Sequence, residues 1–452
     1  MKSVAAIFDI GKTNKKLLLF DEDYCIVDET VERLDETVDE DGFPCEDIDS
    51  LSRWVSDRFS EKLVRKEFDI KAVNFSAYGA CLVYIDENGS PLTPLYNYLK
   101  PFPESLADEL YANYGGREKF SIETASPALG SLNSGLQLYR LKKEQPEVFE
   151  RMKFALHLPQ YLSSLISRKY LNEITGIGCH TAMWDFQNDD YHQWFRQEGL
   201  ERKLPPLARA QKPWYLQQTV VGVGLHDSSA ALIPYLLANN EPFLLLSTGT
   251  WCISLNPFDQ SPLTAAELAQ DCLCYLQYTG KPIKASRLFS GYEHDEQVKR
   301  IAAHFNWRAD EFNTIKYDAK LKKWIEGNFN QGVAPDDLTK GSGFAKRSLE
   351  AFTDPSAAYH QLIIDLVNQQ FRSTQLVLKE KQVSKLFVDG GFSSNDIYMH
   401  LLAGKFRDIE VFAASVAQAS AMGAALVIAG YWNSKPVLQS SINLKKYAPP
   451  LS

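Results

Sequence analysis

Asp9-Ile10-Gly11-Lys12-Thr13-Asn14 lies between two apolar strand-like runs, and Ser247-Thr248-Gly249-Thr250-Trp251 repeats that layout near mid-chain. A glycine and hydroxyl side chains in a tight turn after an apolar strand are weak evidence once. Two copies, one in each half, predict two related domains whose loops converge on a phosphate-bearing ligand.

The flanking pattern fits that reading. Val4–Ile10, Lys15–Phe20 and Cys25–Val31 read as a meander of three strands. Asp35–Asp49 is acidic and carries Gly and Pro, which predicts a surface loop. Leu51–Phe68 has helical spacing, with Leu51, Trp54, Val55, Arg58 and Phe59 along one side. Pro91–Gly135 is irregular and suits substrate-facing loops, and Ser134–Arg168 reads as helix broken at Pro146 and Pro159. Leu204–Val220 carries three prolines without a clear period, which sets the domain boundary and gives domains 1–218 and 219–452. After it the pattern restarts, with strands at Phe243–Ser247, Cys252–Leu255 and Leu386–Asp389. Helices are expected over Arg287–Phe305, Ser356–Lys379 and Asn395–Phe406. Gly423 lies in the small-residue run Ser415–Tyr431, which would let a helix pack closely.

Composition removes several function classes. The net charge of −9 argues against broad nucleic-acid binding, which rewards clustered Lys and Arg. A small anion such as ATP is still compatible, held by Mg²⁺, backbone amides and a few cations. No apolar run reaches the roughly 18 residues of a membrane span, and the first residues lack a signal-peptide pattern. The seven cysteines show no CxxC, which reads as reduced thiols in a cytoplasmic protein.

Four segments could carry chemistry. Asp9, at a strand end beside a glycine turn, could hold Mg²⁺ through water or merely cap a hairpin. In the second turn Gly249 lets backbone approach a phosphate and Thr250 can donate a hydroxyl, although a plain Ser/Thr-rich turn reads the same way. Neither turn matches GxxxxGK[ST]. Asp227, in Gly224-Leu225-His226-Asp227, could accept a proton from a sugar hydroxyl or serve as a helix N-cap, with His226 beside the substrate or simply buried. Val388-Asp389-Gly390-Gly391 exposes backbone to a flat ligand such as adenine, with Asn395 in hydrogen-bonding reach; a generic strand–turn–helix connection is the other reading.

In order and spacing, these segments resemble the FGGY family of carbohydrate kinases over nearly the whole chain. The resemblance implies an α/β fold of two ribonuclease-H-like domains, of the actin/hexokinase type, with a cleft between them. Sugar would bind mainly on the N-terminal side and ATP on the C-terminal side. Asp9–Lys16 is similar to the family's first phosphate motif, so Gly11, Lys12, Thr13 and Asn14 would meet phosphate and Asp9 the Mg²⁺. Ser247–Trp251 is similar to the second, which assigns Gly249 and Thr250. Val388–Asn395 with Ala419–Ala425 is similar to the adenosine motif, which assigns Gly390, Gly391 and Asn395. The Asp of Gly-x-His-Asp is the family's catalytic base, which carries over to Asp227. Ser76-Ala77-Tyr78-Gly79-Ala80 stands where the family has its substrate segment, placing Tyr78, Gly79 and His226 near the sugar. Gly249-Thr250-Trp251 and His226-Asp227 favour the rhamnulokinase and fuculokinase branch, hence a deoxyketose such as L-rhamnulose or L-fuculose. A xylulose or other polyol kinase, and a catalytically weak sugar sensor, are the alternatives. Many relatives form dimers, so a homodimer stays open. Lys12 departs from the family's usual Thr or Ser, and 281–356 aligns with no glycine-rich segment.

Overall fold

The computed structural model describes residues 1–64, 67–329, 337–378, 383–416, 418–435 and 442–449. The chain divides into two compact units. One comprises Met1–Ala238, Cys274–Pro282 and Ala417–Ser441, the other Asn239–Leu273, Ile283–Val416 and Ile442–Ser452.

In each unit a hairpin of apolar strands is continued on one side by a parallel strand. In the first, Lys2–Ile10 runs antiparallel to Lys15–Asp21 and parallel to Phe68–Ala77. In the second, Phe243–Thr248 runs antiparallel to Cys252–Asn256 and parallel to Lys385–Gly390. Among the described residues both sheets have seven strands. The repeated glycine turns of the sequence are therefore the turns of two equivalent hairpins, as their layout predicts.

The central strands are nearly continuous apolar runs because they are covered on both faces. Val4–Phe8, Ile10 and Leu17–Phe20 are all buried. Helix Ile48–Val64 covers the first sheet with Leu51, Trp54, Val55 and Phe59, the side expected from spacing. Helix Pro355–Val377 fills the second unit's core, started by an Asp354 cap and Pro355 in the first turn.

Several expectations need revision. The first unit runs on to Ala238 because Thr219–Val221 and Leu225–His226 both pair with Phe68–Ala77. The acidic stretch 35–49 holds a hairpin, Glu36–Val38 with Pro44–Glu46. Pro91–Gly135 contains helices Glu104–Asn113 and Arg117–Glu123. Phe154–His157 is a strand inside the expected helical run, paired with Leu82–Ile85. Arg287 and Leu288 end a strand, and the helix begins at Ser290. Part of the unaligned stretch, 330–336, and the expected helix end at Lys379 lie outside the described residues. Among the described residues no helix is long and apolar enough to cross a membrane.

Candidate active site

In the first unit, the parallel strands Lys2–Ile10, Phe68–Ala77 and Leu225–His226 run in register and end together, pairing Asp9 with Ser76, Ile10 with Ala77, and His226 with Ala77. Ligands of open α/β sheets bind beyond such carboxyl ends. The ends deliver Asp9, the Tyr78–Gly79 segment, His226 and Asp227 to one place.

Asp9 accepts a hydrogen bond from the Ser420 hydroxyl at 2.9 Å. Burial pushes its carboxyl up to about 6, and the Asp227 charge adds to the rise; Ser420, Lys16 and Ser76 only partly offset it. This carboxylate is short of countercharge, as a cation-binding carboxylate is before its ion arrives. Among the described residues no group of three or more His, Cys, Asp or Glu could cage a metal.

Asp227 opens helix Asp227–Ala238. Its Oδ1 accepts from the Ser228 amide at 2.6 Å and lies 3.3 Å from His226 Nε2, with about a third of the side chain exposed. Its carboxylate is thus tied to the neighbouring amide at the helix start and still faces solvent. His226 is buried, and burial lowers its pKa against the pull of Asp227. Its ring presses on Gly79, where a Cβ would stand 2.6 Å from Cδ2. Tyr78 turns its hydroxyl inward to Glu46, 2.6 Å away.

The 11–14 turn is held from beneath. Gly11 N donates to Asn14 O at 3.0 Å. The buried Lys15 ammonium donates to the carbonyls of Gly11 (3.0 Å) and Lys12 (3.1 Å) and pairs with Glu46. Lys12 pairs with Glu36 at 2.9 Å, and Asn14 accepts from Arg33 at 3.0 Å. Thr13 is exposed. Sequence reading missed Lys15 and Glu46; a lysine inside an apolar strand, followed by an acidic stretch, was the available signal.

In the second unit, Gly249 N donates to Trp251 O at 3.0 Å, closing the second turn. Helix Ser290–Phe305 starts against it: Tyr292 N donates to Thr250 O, and a Cβ on Gly291 would lie 1.8 Å from Gly249 O. Gly291 was not foreseen. Thr248 Oγ1 donates to Asp389 O at 2.6 Å and accepts from Phe392 N at 3.0 Å, tying this turn to the Asp-Gly-Gly turn. A cavity of about 350 Å³ opens here, lined by Gly249, Thr250, Gly291, His294, Gly391 and Asn395 among others. Asn395 caps helix Asp396–Lys405 by accepting from Tyr398 N at 2.9 Å and donates to the Tyr359 hydroxyl at 2.7 Å. Its amide is largely occupied by these contacts.

Gly390 has φ +88°, and a Cβ on it would stand 1.9 Å from Thr248 O, whereas Gly391 has open space around it. Gly390→Ala is accordingly expected to destabilise the protein by about 2–3 kcal/mol, and Gly391→Ala to leave stability near wild type. Urea melts of both variants check this. Equal midpoints would mean the Asp-Gly-Gly turn relaxes freely.

The helix Ala419–Leu426, grouped by sequence with the adenosine segment, belongs to the first unit. Gly423 packs on helix Asp227–Ala238, with its would-be Cβ 1.9 Å from Ala230 O. That close approach brings Ser420 to Asp9.

The model of the FGGY family of carbohydrate kinases, N-terminal domain, matches residues 4–227, and that of carbohydrate kinase FGGY, C-terminal domain, matches 240–436. A rhamnulokinase of Oceanobacillus iheyensis is 20% identical over 451 residues, covering 93% of each chain. A rhamnulokinase of Mannheimia succiniciproducens is 23% identical over 453 residues, covering 93% of this chain and 88% of its own. The crystal structure of a carbohydrate kinase from Novosphingobium aromaticivorans superposes with a TM-score of 0.80 at 21% identity, covering 99% of this chain and 94% of that one. The structural likeness carries the fold.

Proposed function

The chain belongs to the FGGY family of carbohydrate kinases, and we propose that it transfers the γ-phosphoryl group of ATP to the primary hydroxyl of a small ketose, a deoxyketose such as L-rhamnulose or L-fuculose first among them. The observation that carries this reading is the pair Asp9 and Asp227, two carboxylates at the ends of parallel strands that both pair with Phe68–Ala77, one starved of countercharge and the other part-exposed at a helix start. The preference for a deoxyketose draws on the His226-Asp227 and Gly249-Thr250-Trp251 motifs and on the two rhamnulokinase relatives.

Asp227 accepts the proton of the attacking hydroxyl as the phosphoryl group leaves, so charge does not build on the sugar oxygen. Tyr78, Gly79 and His226 shape the sugar's surroundings, and bare Gly79 leaves room for the His226 ring. The Thr13, Asn14 and Thr250 amides and the Thr13 and Thr250 hydroxyls receive phosphate oxygens, on turns that the Gly11 and Gly249 amides close, with Lys12 released from Glu36 as an added cation. Gly390, Gly391 and Asn395 border the nucleoside. Mg²⁺, held at Asp9 through water, would neutralise charge on the phosphates. In this scheme the unit built mainly from Met1–Ala238 carries most sugar contacts and the unit built mainly from Asn239–Leu273 and Ile283–Val416 most nucleotide contacts.

A coupled ADP-release assay with MgATP tests the reading against L-rhamnulose, L-fuculose, D-xylulose, glycerol and related aldoses. The expected result is kcat/KM at least about tenfold higher for a 6-deoxyketose than for xylulose, a discrimination within reach of one methyl group in an apolar pocket. A preference for xylulose or a polyol would replace the substrate assignment. ATP binding without turnover on any sugar would favour a sensing role.

A further inference from the structure

The segment that delivers Asp227 is held by side chains from two other elements, strand Phe68–Ala77 and helix Leu158–Ser167. Asn74 Oδ1 accepts from Gly224 N at 3.1 Å, Gln160 Nε2 donates to Gly224 O at 2.8 Å, and Ser163 Oγ donates to Gly222 O at 2.6 Å. The peptide next to Asp227 has its own support. His226 N donates to Thr175 Oγ1 at 3.0 Å. The Thr175 hydroxyl in turn donates to Glu173 Oε2, which also accepts from Thr175 N at 2.9 Å. Thr175 and Glu173 are both fully buried.

This chain of bonds has a direction. Glu173 takes the hydroxyl hydrogen of Thr175, so a Thr175 lone pair is left for the His226 amide. Glu173 also caps the four-residue helix Ile174–Ile177. A part-exposed Ser or Asn would cap so short a helix without burying a charge. Its second oxygen, Oε1, finds no hydrogen-bond partner among the described residues. Capping alone does not account for a buried carboxylate here. Orienting Thr175 toward His226 does.

We propose that Glu173 and Thr175 are positioning residues for phosphoryl transfer, fixing the His226–Asp227 peptide so that the Asp227 carboxylate meets the sugar hydroxyl. The inference rests on the reading of Asp227 as the base. Neither residue touches the reacting atoms. They act through the His226 amide and through a ring lying 3.3 Å from the Asp227 carboxylate. A small displacement of a catalytic group can cost about a hundredfold in rate.

The test measures ADP release with MgATP and the sugar the wild type turns over, for wild type, Asp227→Asn, Thr175→Val and Thr175→Ser. Thr175→Val keeps the shape and removes the acceptor. Its kcat is expected to fall about 10- to 100-fold with KM for ATP unchanged, and Thr175→Ser to recover most of the loss. A residue that only supported folding would lower the active fraction and the melting temperature, and serine would not selectively restore kcat. Wild-type kcat in a folded Thr175→Val overturns the inference while Asp227→Asn stays inactive. Full turnover in Asp227→Asn instead overturns the base assignment and the inference with it. Should Thr175→Val fail to fold, Thr175→Ala decides, since it also removes the acceptor of the His226 amide and adds no bulk: a lower kcat at constant KM for ATP supports the inference, and unchanged kcat overturns it.

Discussion

Asp227→Asn is expected to lower kcat by about 10²- to 10⁴-fold, the range for losing a positioned general base, while leaving ATP affinity and folding close to wild type. The amide keeps the carboxylate's shape. Its oxygen can still accept from the Ser228 amide, the 2.6 Å bond that seats residue 227 at the helix start. The helix Asp227–Ala238 and its packing on Gly423 are untouched. Only the proton acceptor is gone. A second consequence is electrostatic: the Asp227 charge contributes to the raised pKa of Asp9, so that carboxyl should move back toward its ordinary value in the variant. Steady-state turnover with isothermal titration of ADP separates these effects. Turnover within a few-fold of wild type would remove Asp227 as the base, and lost ADP binding would show a structural role instead.

Much of this arrangement was legible in the sequence because it is local. A strand, a glycine turn and a second strand occupy about twenty consecutive residues around Gly11, and the same unit recurs around Gly249; short continuous apolar runs bounded by turn residues report such units directly. Asp9, Asp227 and the Asp-Gly-Gly turn lie at strand ends for the same reason. What escaped was long-range. Ser420 reaches Asp9 only because Gly423 lets one helix sit against another. Gly291 matters because its helix starts on the Gly249 carbonyl. Glu46 appeared as one acid in a polar stretch, yet it joins Lys15 to Tyr78 beneath the first turn. Each of these roles depends on a neighbour far away in sequence. The boundary moved for a related reason: prolines mark irregular chain, but strand pairing decides which unit a segment joins.

Asp9→Asn should separate stability from activity. In the folded protein the Asp9 carboxyl titrates near 6 rather than 3.8 because burial disfavours its charge. The folded state therefore holds a proton that the unfolded chain has released between about pH 4 and 6. Stability falls as pH rises through that window, and the full cost is present above about pH 6. A rise from 3.8 to about 6 corresponds to about 3 kcal/mol at most, and water reaching this half-buried group reduces it further. An asparagine carries no charge and can still accept from Ser420. Without nucleotide, the variant is expected to melt higher than wild type at pH 8, with the difference closing below about pH 4. Activity at pH 8 should nonetheless fall by about 10²-fold or more, as for other lost electrostatic contacts to a transferring group. MgADP should raise the wild-type melting temperature more than the variant's. Thermal melts across pH, with and without MgADP, read all three effects. A variant less stable than wild type at pH 8 would mean that Ser420, Lys16 and Ser76 already satisfy the carboxylate, and the case for a cation at Asp9 would lose its physical basis.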